Sequence, residues 1–419
     1  MQLFVMMLIA GALCLQSTAC AMDEGFAAFD RRAKAGERLN VVFFGASLTW
    51  GANASDQDLT SYRAVMCERF AQQYPAAHIR GYDAAIGGTG SLLGAFRLER
   101  DVLSRHPDLV FVDFTANDNI YTDEAESLSS YESILRRLAA AGIPVVQVAF
   151  PFRWDIERSK LPSMKRLAAH HALAEAYNNG WGDAVTRIIG EIEKKSYALT
   201  DLWVTDGAHP HDRGYHEFAA AAWDGFTAAV AAQLVPRVPA QQLNPDTYAH
   251  LQRFRLTSLA QLPAGWCRGR PYLTAINHDW LMSRWLDGLV FARTRALGAD
   301  GKPLVPAVPV TVAPLRLHIQ ASSILVFGEA SAISCSFQVR IDGKLVSGAP
   351  GLPKDVDRYD ANRWKTGNGH LVCEIVRDLD TKVVHLVEFE PLFADDQDHE
   401  LRFESICVAG GPATVEIAP

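Results

Sequence analysis

Two periodicities alternate between about Phe26 and Leu234, and that alternation restricts the fold more than any other feature of the chain. Short apolar runs of strand type give way repeatedly to stretches whose apolar residues recur three and four positions apart, as on one helical face. "NVVFFGASLTWG" (residues 40–51) opens the series with a strand from Val41 to Phe44. Residues 60–74 then put Tyr62, Val65, Met66 and Phe70 on one helical face. "HIRGYDAAIGG" reads as a weaker strand, and "PDLVFVDFTANDN" as a mostly buried one from Leu109 to Phe114. Residues 124–141 are helical, with Leu128, Tyr131, Leu135 and Leu138 in phase and Gly142 as a stop. "IPVVQVAFPF" supplies a fourth strand and residues 163–195 two helical patterns. "YALTDLWV" is a fifth, poorly defined strand, and an Ala-rich helix begins near Gly214. This order predicts an α/β domain whose mainly parallel sheet is covered by helices on both faces.

The pattern changes after "LVPRVPAQQLNPDTY" (residues 234–248), a proline-containing linker. Beyond it "LRLHIQA" and "SCSFQVRIDG" alternate apolar and polar residues, and Asp342-Gly343 is a hairpin-turn signal. "HLVCEIV", "KVVHLVEFEP" and "HELRFESICV" continue the short-strand theme, so an all-β sandwich is expected. A chain of 419 residues exceeds one ordinary core. The expected division is a first domain over 26–235, a linker over 236–248 and a β-domain over 249–419.

The N-terminus differs in kind. Leu3 to Leu15 is an apolar run too short to span a membrane and suited to a signal-peptide core. Ala19-Cys20-Ala21 supplies a small-x-small cleavage pattern, which gives a signal peptide over 1–21, although no Lys or Arg precedes the run. Export is the first reading. Lipidation at Cys20 is the second, since Ser17 stands where a lipoprotein site usually has Leu. No later stretch is apolar enough to span a membrane, and a net charge of −8 argues against nucleic acid or an anionic membrane as partner. The cysteines beyond the leader (Cys67, Cys267, Cys335, Cys373 and Cys407) match no zinc motif, and both pairing among the last four and buried free thiols stay open.

Each predicted strand exit of the first domain carries something chemical. The first gives Ser47, the second Gly87-Gly88, the third Asn117, and "TDGAHPHDRGY" follows the fifth. In a parallel sheet these exits share one edge. A serine nucleophile needs a base within hydrogen-bond reach, and the base an acceptor that fixes its tautomer, roles suited to His209 and Asp206. The Ser47 and Gly88 N–H groups and the Asn117 amide are suited to a developing oxyanion, with Gly87 as donor if the turn shifts by one. Other roles stay open: Ser47 as a turn residue, Asp206 in an Asx-turn, Asn117 as a cap. His211 lacks the Asp-x-x-His spacing, and His170 and His171 are read as surface residues of a helix.

In this order the stretches resemble the blocks of the SGNH hydrolase superfamily, the GDSL-like esterases. "FFGASLTWG" is similar to its first block, "AAIGGTG" to the second, "TAND" to the third and "DGAH" to the last, over roughly residues 38–230. The departures are Ala46 for the usual Asp, Thr89 where an Asp often stands, and Thr115 for the usual Gly. The resemblance implies a flavodoxin-like α/β/α domain, Ser47 as nucleophile, His209 and Asp206 as its partners, and Gly88 and Asn117 in the oxyanion hole.

It also implies an exported serine esterase acting on small acyl esters, with O-acetyl groups on carbohydrate as the expected substrate. The alternatives are a carbohydrate O-acyltransferase, a non-catalytic carbohydrate-binding protein, and a lipase-like or lysophospholipase-like esterase. Arg153 and Trp154, after the fourth strand, are weaker candidates for binding a sugar hydroxyl and ring face. Trp266, Tyr272, Trp280 and Trp285 are read mostly as core, with sugar stacking as the other role. No cofactor and no metal is expected. "GGTGSLLG" does not fit a dinucleotide loop, Thr49 breaks the G-x-S-x-G elbow, and neither a P-loop lysine nor HExxH occurs. The sequence leaves the oligomeric state open.

Overall fold

Successive residues of a strand point to opposite faces, so a strand buried on both faces must be apolar throughout. Val41, Val42, Phe43 and Phe44 meet that demand, each almost wholly buried. The structure, a computed structural model, describes residues 24–272, 288–295, 298, 310–350, 352–362, 369–393 and 398–418. The leader over 1–21 with Cys20, and Trp280 and Trp285, lie outside the described residues. The chain divides into two units, Met1–Leu243 and Asn244–Pro419.

The first unit runs α1 (Gly25–Lys34), β1 (Arg38–Gly45), α2 (Ser47–Trp50), α3 (Tyr62–Gln73), β2 (His78–Ala85) and α4 (Ser91–Asp101). It continues β3 (Leu109–Asp113), α5 (Ala125–Ala140), β4 (Val145–Ala149), α6 (Lys165–Tyr177), β5 (Gly180–Asp183), α7 (Ala184–Glu193) and α8 (Asp212–Ala231). The strands form one sheet in the order β2-β1-β3-β4-β5, parallel throughout. On one face Phe43 stacks on Phe111 at 5.2 Å, with Phe70 of α3 meeting Phe226 of α8 at 5.1 Å. On the other face Phe44 meets Phe114 edge-on at 5.2 Å. This is the expected α/β/α arrangement, and its strand order is that of flavodoxin-like sheets.

The fifth strand is not where the sequence reading places it. "YALTDLWV" forms a single 3₁₀ turn, Leu199–Asp201, followed by Leu202 and Trp203 buried in a loop. Those two residues are apolar because they pack in the core, with Trp203 6.2 Å from Phe218 of α8. The strand is "GWGD", lying between the two helices read over 163–195. Its glycines serve close approach. A Cβ at Gly182 would sit 2.7 Å from the Ala221 carbonyl oxygen, and one at Gly225 2.7 Å from the Trp181 backbone. Helix α8 therefore rests on β5 backbone to backbone, which erases the side-chain period that would have marked a strand.

The second unit is all-β. Its strands are β6 (Leu251–Arg255), β7 (Trp266–Gly269), β8 (Leu289–Arg293), β9 (Leu315–Gln320), β10 (Ser323–Ala330), β11 (Ser336–Ile341) and β12 (Lys344–Leu345). They are followed by β13 (Tyr359–Asp360), β14 (Gly369–Val376), β15 (His385–Leu392), β16 (Glu400–Ala409) and β17 (Thr414–Ile417). One sheet runs β14-β10-β16-β8-β7 with β6 on β16, and the other β12-β11-β15-β9-β17 with β13 on β11. Phe403 of the first sheet meets Phe337 and Phe389 of the second at 5.1 and 5.9 Å, so the inner faces share one core, as in a sandwich. Asp342 and Gly343 take φ of 51° and 77° between β11 and β12, the two positive angles a type I′ hairpin needs.

Trp266 is core, its indole N–H donating to the Ala313 carbonyl at 2.8 Å, while Tyr272 packs on Arg402 and bonds Glu400. All five described cysteines are free thiols. Among the described residues no helix is long and apolar enough to cross a membrane.

Gly182→Ala and Gly225→Ala should each lower unfolding free energy by roughly 1–3 kcal/mol through forced backbone displacement. Gly190→Ala, in α7 with nothing within 4 Å of the new Cβ, should instead stabilise by about 0.5–1 kcal/mol. Urea unfolding of the three variants would check both signs.

Candidate active site

Gly45, the last residue of β1, pairs with Ala85 of β2 and with Asp113 of β3, so the three strands end level. A Cβ at Gly45 would sit 2.2 Å from Thr49 Oγ1 and 2.7 Å from the Asp113 carbonyl oxygen. Only glycine fits there, and its compactness lets the chain turn at Ala46 straight into α2, which Ser47 begins. Helix α2 ends at Gly51 with φ of 94°, and the Arg63 guanidinium donates to the Thr49 and Trp50 carbonyls at 2.8 and 3.0 Å. Thr49 Oγ1 donates to the wholly buried Asp113 carboxyl at 3.0 Å. Burial raises Asp113 to about 8, with the Thr49 bond pulling the other way.

The second loop leans on the first: a Cβ at Gly87 would lie 3.6 Å from Ser47 Cβ, and Gly88 adopts φ of 71°. Buried Thr89 donates to the Ile86 carbonyl at 2.7 Å. In the third loop the Asn117 Oδ1 is buried with no partner among the described residues. Asp118 Oδ1 accepts the Ser91 N–H at 2.9 Å over Gly90, tying the third loop to the second. Burial raises Asp118 to about 6, with Arg166 opposing it. Thr115 bonds His170 Nδ1 at 3.0 Å, and that imidazole stacks on Tyr131 at 3.7 Å. His170 is therefore a buried residue of α6 and not the surface residue expected, whereas His171 is exposed. Burial, with Arg166 nearby, pushes His170 well below the ordinary histidine value.

The Asp-x-x-His segment lies in the loop from α7 to α8 and not behind a strand, as the relocated fifth strand requires. It still reaches the same edge. His209 Nε2 lies 2.9 Å from Ser47 Oγ, and His209 Nδ1 lies 3.1 Å from Asp206 Oδ2. A proton on Nδ1 directed at Asp206 leaves Nε2 free to accept from Ser47. Asp206 Oδ1 accepts the backbone N–H groups of Ala208 and His209, each at 2.7 Å. Partial desolvation alone would raise Asp206. The bonds from His209, Asn53 and Ala208 outweigh it and bring the carboxyl down to about 2. The His209 and Asp206 side chains remain 26% and 45% exposed. His211 occupies the N-cap position of α8 without a side-chain cap bond, and its Nδ1 lies 4.0 Å from Asp212 Oδ2.

Arg153 and Trp154 form a one-turn 3₁₀ helix behind β4, held by buried Asp155, which accepts the Phe152 N–H at 2.9 Å. The Arg153 backbone N–H donates to the Gly207 carbonyl at 2.8 Å. The Trp154 ring covers Gly207, within 2.9 Å of a would-be Cβ, yet Trp154 is 53% exposed. The structure thus brings Ser47, Gly88, Asn117, Asp206, His209, Arg153 and Trp154 to one sheet edge. It adds Asn53, which donates to Asp206 Oδ2 at 2.8 Å and which no motif or period had marked. Among the described residues no cluster of His, Cys, Asp and Glu could hold a metal ion.

Residues 43–217 match the model of the GDSL-like lipase/acylhydrolase family. This domain belongs to that family. The GDSL-like domain makes the chain an esterase of serine-hydrolase type. Among solved structures, the chain is similar to a two-domain esterase (CEX) active on acetylated mannans, co-crystallised with mannopentaose. Identity is 23%, coverage 92% of this chain and 95% of that one, and TM-score 0.71. A second CEX structure gives 23% identity, the same coverage and a TM-score of 0.70. Axe2, an acetylxylan esterase from Geobacillus stearothermophilus, matches at 20% identity over 46% of this chain and 96% of its own, with a TM-score of 0.39. The CEX likeness extends the shared fold beyond the GDSL-like domain into the all-β unit. No curated protein matches by sequence.

Because folding keeps a proton on Asp113 up to about pH 8, against an ordinary value of 3.8, the folded state binds more protons than the unfolded one between those limits. Asp113 therefore costs stability increasingly as pH rises from about 4 to 8. The Tm of Asp113→Asn relative to the parent should climb across that window. A pH-independent difference would show that the buried carboxyl does not titrate there.

Proposed function

We propose that the chain is an exported esterase that removes acetyl or other small acyl groups from carbohydrate, using Ser47, His209 and Asp206. The observation that carries this reading is the unbroken line Ser47 Oγ, His209 Nε2, His209 Nδ1, Asp206 Oδ2, with contacts of 2.9 and 3.1 Å. His209 takes the Ser47 proton as Oγ attacks the ester carbonyl, and returns it to the departing alcohol. Asp206 stays ionised, holds the Nδ1–H tautomer and stabilises the imidazolium formed in the step. The Ser47 and Gly88 N–H groups and the Asn117 amide receive the negative oxygen. Water, deprotonated by His209, then releases the acid.

The carbohydrate part rests on Trp154 and Arg153. An exposed indole beside the Asp206–His209 loop offers a flat face to a sugar ring, and the guanidinium offers donors to its hydroxyls. That the structurally similar CEX acts on acetylated mannans supports the same substrate class. Export rests on the apolar leader and its Ala19-Cys20-Ala21 pattern, with a lipid anchor at Cys20 as the second form of it. The all-β unit is assigned to polymer substrates and stability, not to chemistry.

Ser47→Ala and His209→Ala should each remove nearly all turnover of a chromogenic acetate ester, since the residues act as one unit. Near-normal activity in Ser47→Ala would end the reading. Asn117→Ala should lower kcat about 10²–10³-fold with KM little changed. Trp154→Ala should raise KM for an acetylated oligosaccharide while sparing the small ester. Acetate should be released from an O-acetylated glycan, and octanoyl esters should be poor substrates. The reverse preference would indicate a lipase-like enzyme.

A further inference from the structure

We infer that Asn53 is a positioning residue of this site, bracing the Asp206 carboxylate against His209 from the segment that follows the Ser47 turn. The inference rests on the Ser47–His209–Asp206 reading above and adds a member that the family blocks do not contain.

Asp206 has its contacts divided between two oxygens. Oδ1 takes two backbone N–H groups of its own turn, while Oδ2 takes the His209 ring and the Asn53 amide. Among the described residues Asn53 is the one donor to this carboxylate from outside residues 206–209, at 2.8 Å, and the same amide nitrogen lies 3.4 Å from the His209 carbonyl. The Asp206 side chain is 45% exposed, so water competes for any lone pair the protein leaves open. A buried acid would be immobilised by packing. This one must be held by hydrogen bonds.

Asn53 is itself well placed for the task. It sits at φ of 66°, a left-handed conformation that Asn tolerates better than most side chains. Its segment is fixed at one end to the nucleophile turn, where the Gly51 and Ala52 N–H groups donate to the Ser47 carbonyl at 3.0 and 3.1 Å. At the other end it is fixed to α8. Tyr215 Oη donates to the Ala52 carbonyl at 2.6 Å, and Asp212 accepts from the Ser55 N–H and Oγ at 2.8 and 2.7 Å. Thr60 Oγ1 also donates to Asp212, at 2.8 Å. Asn53 thus carries the position of the Ser47 turn across to the acid that orients the base. Its bond matters most when His209 becomes cationic, because a carboxylate free to rotate toward water stabilises the imidazolium less.

The test uses the full chain and a small acetate ester. Asn53→Gly removes the amide without left-handed strain, and Asn53→Asp keeps size and backbone tolerance while exchanging donors for acceptors. Both should lower kcat roughly tenfold, a charge-assisted bond discounted for exposure, with KM unchanged. In an Asp206→Asn background, Asn53→Gly should cost less than about twofold, because its partner is already impaired. Parental kcat in both variants, a change confined to KM, or equal costs in the two backgrounds would each overturn the assignment. Those outcomes leave the Ser47 reading standing if Ser47→Ala is inactive. An active Ser47→Ala would remove that reading and this one with it.

Discussion

The Ser47 turn and the loops around it depend on a backbone register, the pairing of Gly45 with Ala85 on one side and Asp113 on the other. Three strands that stop at one level deliver three loops to one edge. A slip of one residue would send Phe43 and Phe44 to each other's faces and carry Ser47 away from its neighbours. The end of β1 is pinned by a buried cation. Arg97 of α4 donates to the Gly45 carbonyl at 2.7 Å and to the Ala84 carbonyl at 2.6 Å, with its guanidinium 4.3 Å over the Phe44 ring. Desolvating a guanidinium is costly, and the strand-end carbonyls and Asp101 supply the acceptors that make it tolerable. The same carbonyls that mark where β1 and β2 stop are thereby satisfied.

Around this edge the loops are stitched to one another by buried polar side chains. Asp118 holds the start of α4, Thr115 reaches His170, Thr89 closes on Ile86, and Thr49 meets Asp113. Three positions where this chain departs from the usual family pattern belong to this interior set. Ala46, Thr89 and Thr115 are all buried, and none is among the groups proposed to touch the reacting ester. Exchanges at such positions alter how the loops are supported while the reacting groups stay in place.

Much of the first unit was legible because its central strands must be apolar on both faces and its helices on one. The runs at Val41 to Phe44 and Leu109 to Val112 obey the first rule, and Leu128, Tyr131, Leu135 and Leu138 the second. The fifth strand was not legible, because "GWGD" is selected for close approach to α8 and carries no strand signature. "YALTDLWV" misled for the complementary reason, since burial alone made Leu202 and Trp203 apolar. In the second unit the alternating strands and the Asp342-Gly343 turn could be read, whereas β10, buried along its whole length, shows no alternation. At the site, block spacing marked Ser47, Asn117, Asp206 and His209. Asn53 had no such mark, since its role depends on a contact across more than a hundred residues of chain. His170 was misplaced because a polar ring in a core is decided by partners, here Thr115 and Tyr131, that lie far away in sequence.

On the mechanism proposed above, the open position of the Asp206–His209 turn bears on the fate of the acyl group that Ser47 would carry. With 26% of the His209 side chain in solvent, water reaches the imidazole without any opening motion. Release to water and transfer to an alcohol then compete on unequal terms, because solvent is always present and an acceptor must first arrive. On that mechanism, an alcohol would receive the acyl group only by staying bound beside His209 long enough to displace that water. The partition between hydrolysis and transfer would then be governed by acceptor residence time, with the same proposed groups serving either outcome.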